Sequence, residues 1–137
     1  MTEYERSRAM PALPEHVFDQ AANVGQLESW LPDELHVHAE DPPAVTVHED
    51  LADQDTPAFL RPRPDQMRLE WGARHDGGYT GHLQVAGNDS GTSEVTVHLS
   101  FLDDEHDPGE RAVQEALDRS LERLEEQVRL RVDNVGG

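Results

Sequence analysis

The chain of 137 residues contains no cysteine and no lysine, and only seven aromatic residues. The absence of cysteine excludes disulfides, thiolate metal sites and cysteine nucleophiles together. Arginine alone supplies the 11 cationic residues against 29 Asp and Glu, which leaves a net charge of −18. Such a charge excludes nucleic acid and anionic membrane surfaces as partners, because both require a basic patch. No apolar run approaches the roughly 18 residues of a membrane span, so no membrane insertion is expected. The opening Met1-Thr2-Glu3-Tyr4-Glu5-Arg6 is acidic and has no apolar stretch of the signal-peptide kind, which reads as a cytoplasmic protein. With 35% hydrophobic residues the composition borders on that of disordered chains, so periodicity has to show that the apolar residues are organised.

It does. Residues 3–10 read as a short opening strand in which Tyr4 and Met10 share parity with Arg6 and Arg8. Pro14 at a first helical position, then Val17, Phe18, Ala21 and Ala22, give a short helix over 14–23, and 26–31 give a second turn or two closed by Pro32. Leu35-Val37-Ala39, Val45-Val47, Met67-Leu69-Trp71, Tyr79-Leu83-Val85 and Val95-Val97-Leu99-Phe101 each alternate with polar residues, the signature of an antiparallel sheet with one buried face. Residues 50–65, acidic and then rich in proline, read as a long loop with a short edge strand around Ala58-Phe59-Leu60. Asp107-Pro108-Gly109-Glu110 starts a helix expected from 108 to about 131, with Val113, Ala116, Leu117, Ser120, Leu121, Leu124 and Val128 on one stripe. Val135-Gly136-Gly137 is expected to fray. There is no internal repeat, and 1–137 reads as a single domain.

Met10-Pro11-Ala12-Leu13-Pro14-Glu15-His16-Val17-Phe18-Asp19, followed by Leu27-Glu28-Ser29-Trp30-Leu31-Pro32, resembles the opening of the SRPBCC superfamily, which includes START-like lipid-transfer domains and polyketide cyclases. The resemblance covers nearly the whole chain. It implies an α+β helix-grip fold: a curved antiparallel sheet wrapped around a long C-terminal helix, with two short helices after the first strand and a cavity between sheet and helix. No catalytic motif serves the whole superfamily, so it carries over no catalytic residue.

Within that frame, inward parity assigns Leu69, Trp71, Leu83, Val97, Leu99 and Phe101 of the sheet and Leu117 and Leu121 of the helix stripe to a ligand-binding set, with Trp30 at the mouth. Glu49, Tyr79 and Ser120 are its polar members. A carboxyl at Glu49 in an apolar site can act as acid or base, and the Tyr79 hydroxyl can bond a ligand oxygen. His36, His38, His48, His82 and His98 sit opposite the apolar residues of their strands, so they read as an outward polar row and not as metal ligands. No metal or other cofactor is expected. Three functions fit: binding of a small hydrophobic molecule, lipid or polyketide-like; an aromatase/cyclase in which Tyr79 or Glu49 moves protons; or a non-catalytic interaction protein whose core is filled by its own side chains. Seven aromatics are few for a polyketide-cradling site, which favours binding. Whether a reaction occurs, and whether the chain is a monomer or a homodimer, stay open at this level.

Overall fold

The computed structural model describes residues 2–23, 30, 35–39, 44–49, 54–73, 79–88, 91–101 and 109–136. In chain order they form β1 (Thr2–Met10), α1 (Pro14–Ala21), β2 (Leu35–Ala39), β3 (Ala44–Glu49), β4 (Gln54–Arg63), β5 (Arg68–Ala73), β6 (Tyr79–Gly87), β7 (Ser93–Phe101) and α2 (Glu110–Gly136). The seven strands make one curved antiparallel sheet in the order β1-β7-β6-β5-β4-β3-β2, open at β1 and β2 and not closed into a barrel. The second short helix expected at 26–31 lies outside the described residues, apart from Trp30, which sits in a turn.

The register carries one face across the whole sheet. Leu69 of β5 stands opposite Leu83 of β6, which stands opposite Val97 of β7, with Arg6 of β1 beyond. Helix α2 covers this concave face along β1 and meets α1. Its buried stripe is Val113, Leu117, Ser120, Leu121, Leu124 and Val128, joined by Val17, Phe18 and Ala21 of α1. Arg6 and Arg8, which carry core parity on an edge strand, span the seam to the helix. Arg6 lies 3.4 Å from Asp118 and donates to Gln114 at 3.3 Å, and Arg8 meets Glu125 at 3.1 Å. Their aliphatic stems share the buried face while the guanidinium groups reach the polar flank of α2. On the other side of α1's entry, the fully buried Ser93 hydroxyl donates to the Ala12 carbonyl at 2.5 Å, which ties the start of β7 to the chain leaving β1.

Three expectations require correction. Residues 54–63 form a ten-residue interior strand, β4, and not a loop with a short edge strand. Proline is tolerated because the pairing is staggered: Gln54–Phe59 pair with β3, and Ala58–Arg63 with β5. Pro57 and Pro62 therefore each have a neighbour on one side only, which is the edge condition proline needs. The long helix begins later and ends later than the sequence suggests. Gly109 has a φ of 103°, outside helical space, so α2 opens at Glu110, and the Gly109 carbonyl accepts the Val113 N–H at 3.0 Å. At the other end the helix continues through Val135 to Gly136. Met67, expected in a strand, instead turns left-handed at φ 50° after a 3-10 turn over Pro64–Gln66, and β5 starts at Arg68.

Candidate functional site

Under α2 the concave face is tightly filled. Leu69 and Leu83 have 0% exposure, so neither adjoins a space that water can enter. Val97, Leu117 and Leu121 are buried beside them, as is Ser120 on the same helix stripe. Phe101 is buried at the far end, where its ring meets Tyr4 edge to face at 5.9 Å and 72°.

One row further along the strands the packing loosens. Leu60 of β4, Trp71 of β5, Gly81 of β6 and Leu99 of β7 stand opposite one another in register. Leu60, Trp71 and Leu99 pack against the core cluster yet stay partly exposed, as does Val37 on β2. The indole of Trp71 folds across the bare backbone of Gly81, where an added Cβ would lie 2.5 Å from Trp71 Nε1 and 2.7 Å from Leu99 Cδ2. The missing side chain at Gly81 thus lets a large ring lie flat on the sheet. This gives an apolar wall of Leu60, Trp71 and Leu99 that is only half covered.

Trp30 belongs to the same buried cluster, at 4% exposure. Its indole N–H is buried and has no acceptor among the described residues. A buried donor left unpaired costs about 1–3 kcal/mol, so a group that supplies an acceptor there is favoured. Glu49 closes β3 opposite Gln54, and Tyr79 opens β6 opposite Phe101. The side chains of Glu49 and Tyr79 lie outside the described residues.

The opposite, outward face carries charge. His98 of β7 lies 3.2 Å from Glu3 and 3.3 Å from Glu5 of β1, and its ring stacks on His82 at 5.2 Å and 14°. Glu70 of β5 accepts from Arg63 at 2.8 Å and lies 3.1 Å from Arg68. The Arg63 hydrogen bond, helped by the charges of Arg63 and Arg68, holds the Glu70 carboxyl below its ordinary value against a burial effect that raises it. Burial, followed by the nearby Arg68 and His98, pushes the His82 imidazole below its ordinary value of 6.5. Among the described residues no three His, Asp or Glu side chains come together as a metal site.

The His82 shift sets the sign of one pH effect. A histidine depressed in the fold stabilises fully above its unfolded pKa, and that contribution is lost as pH falls through its folded value. His82→Gln removes this dependence. Melting curves from pH 7.5 to 5.5 should therefore fall less steeply for the variant than for the wild type. Taking the difference cancels the changing repulsion of the acidic chain. Parallel curves would contradict the assignment.

A curved antiparallel sheet that grips a long C-terminal helix is the helix-grip class of fold. The chain belongs to the polyketide cyclase/dehydrase and lipid transport family, whose model matches residues 1–129. Among solved structures it is similar to the Zhui aromatase/cyclase from Streptomyces sp. R1128, at 14% identity and a TM-score of 0.74, covering 99% of this chain and 98% of that one. A START superfamily protein from Mycobacterium smegmatis is similar at 12% identity and a TM-score of 0.71, over 93% and 97% of the two chains. The di-domain aromatase/cyclase BexL of the BE-7585A biosynthetic pathway matches at 19% identity and a TM-score of 0.75 over 98% of this chain. The chain spans about half of that protein, covering 48% of its length. No curated protein matches this sequence. At these identities the structural likeness concerns the fold.

Proposed function

We propose that the chain binds a small, largely apolar molecule carrying a hydrogen-bond acceptor, lipid or polyketide-like, between the concave face of the sheet and α2. The observation that carries this reading is the buried, unpaired indole N–H of Trp30 in the cluster that also contains the half-covered wall of Leu60, Trp71 and Leu99. The wall supplies apolar contact, and Trp30 supplies the single directional bond that orients a carbonyl or hydroxyl oxygen. The family's description and the aromatase/cyclase neighbours support a ligand of this chemistry. Leu69, Leu83, Val97, Leu117, Ser120 and Leu121 form the packed floor beneath it. Cyclisation is the alternative reading, with Glu49 or Tyr79 as proton carriers.

Two measurements test it. Native mass spectrometry of freshly purified protein, beside a denatured control, should show an extra mass that leaves on denaturation. Prodan, a neutral fluorescent naphthyl ketone, should bind the emptied protein with a blue-shifted emission. Trp30→Phe keeps a ring but removes the N–H, and should weaken prodan by about tenfold, the scale of one buried hydrogen bond, with little change in melting temperature. Unchanged prodan affinity in that variant would remove Trp30 from the site.

A further inference from the structure

The outward face of the sheet holds a second concavity, whose lining reaches Trp71 and Gly81 at its margin. The register sets Arg61, Glu70, His82, His98 and Glu5 side by side across five adjacent strands. In the next row Phe59 stands opposite Gly72, and Gly72 opposite Thr80. Gly72 contributes no side chain to that row. A cleft of about 200 Å³ opens there, lined among others by Phe59, Arg61, Arg68, Glu70, Thr80 and His82.

The charges in this cleft do not balance. Glu70 is already engaged by both Arg63 and Arg68. Arg61 lies over the Phe59 ring at 5.6 Å; it stands opposite Glu70 and its charge acts on that carboxyl, but among the described residues no ion pair holds its guanidinium. Two lining arginines, Arg61 and Arg68, thus face one lining glutamate that Arg63 also engages from outside the cleft, in a chain whose net charge is −18. The walls are flat and partly apolar: the Phe59 ring on one side, and the His82 imidazole, stacked on His98, on the other.

We propose that this cleft binds a small aromatic carboxylate, with its carboxylate on the Arg61 guanidinium and the Thr80 hydroxyl and its ring against Phe59 and His82. The volume is below the roughly 300–1,000 Å³ of sites for drug-sized ligands, so it suits a single ring. One guanidinium without an ion pair among the described residues matches a monoanion, since carboxylate is the planar partner that a guanidinium fork fits best. An extended polyanion is disfavoured because it would have to run out over the acidic remainder of the surface.

The test is a titration of isotope-labelled protein at pH 7.5, with sodium benzoate as the probe and sodium chloride at matched ionic strength as the baseline. The imidazole resonances of His82 and the guanidinium Nε–H of Arg61 report the cleft, and the Trp30 indole reports the interior. Saturable shifts at His82 and Arg61, with Trp30 unmoved, are expected. Acetate and inorganic phosphate at the same concentration should leave them at baseline. Arg61→Gln alters an exposed side chain, so the fold should persist, and it should weaken benzoate by about tenfold or more, as for a charge-assisted bond. Three results would each overturn the proposal: no shift with benzoate, equal shifts with acetate or phosphate, or undiminished benzoate binding by a folded Arg61→Gln. Shifts at Trp30 in place of His82 would also overturn it by moving benzoate to the interior.

Discussion

Leu83→Ala is expected to lower the unfolding free energy by about 2–5 kcal/mol, the range for truncating a large aliphatic side chain in a packed core. Leu83 has 0% exposure and stands in register between Leu69 and Val97, on an interior strand that α1 packs against, within the core that α1 and α2 share. Its neighbours are held by two strands and a helix and cannot collapse into the space. The cost therefore includes the cavity as well as the lost transfer energy. At roughly 3–5 °C per kcal/mol for a domain of this size, the melting temperature should fall by roughly 10 °C. Leu130→Ala serves as the control, because Leu130 lies on α2 at 52% exposure and should change the melt by roughly 0.5 kcal/mol or less. Equal effects of the two variants in a thermal or urea melt would mean that the helix does not seal the sheet at Leu83. A similar loss together with increased prodan binding would mean that the cavity left by Leu83 joins the ligand space.

The strong alternation in strands β2, β3, β5, β6 and β7 made the sheet legible, because a half-buried antiparallel strand imposes period two on its residues. The same alternation places Trp71 and Leu99 on the face where the structure holds them. It fails where other constraints outrank it. Over 57–64 three prolines suggest a loop, yet Pro57 and Pro62 stand at staggered, one-sided positions of the interior strand β4, and stagger is a tertiary property. In β1 the arginines at core parity look like a broken pattern, yet they are the pattern of an edge strand that meets the polar flank of a helix. Gly81 carried a readable signal: a lone glycine inside a strand marks a close approach, and it is what lets Trp71 lie flat. The outer cleft was less legible. The outward histidines were visible by parity, but Arg61 and Phe59 reach the cleft from the segment that read as a long loop with a short edge strand around Ala58-Phe59-Leu60. That Glu70, opposite Arg61, is held by Arg63 and Arg68 depends on which strands lie side by side.

Gly81→Ala should destabilise the fold by about 1–3 kcal/mol, the usual cost of overpacking. The sign is the informative part. Replacing glycine by alanine inside a strand ordinarily stabilises by about 0.5–1 kcal/mol, because glycine loses more backbone freedom on folding. Here the new methyl would lie 2.5 Å from Trp71 Nε1, and 2.7 Å from both Trp71 Cε2 and Leu99 Cδ2. Those atoms belong to a rigid ring and a branched side chain, so the indole has to lift off the sheet. Near-ultraviolet circular dichroism should lose part of its tryptophan signal, and the emission of Trp71 should move to longer wavelength. Prodan affinity should fall as well, since the wall of Leu60, Trp71 and Leu99 no longer holds its shape. Gly81→Ala combined with Trp71→Phe restores room for the methyl, so the two changes should couple favourably by about 0.5–3 kcal/mol, as residues in contact do. A Gly81→Ala variant that melts higher than wild type, with its tryptophan signals unchanged, would show that the indole does not lie on Gly81. A variant that melts lower but binds prodan with full affinity would uphold the packing and place the ligand away from this wall.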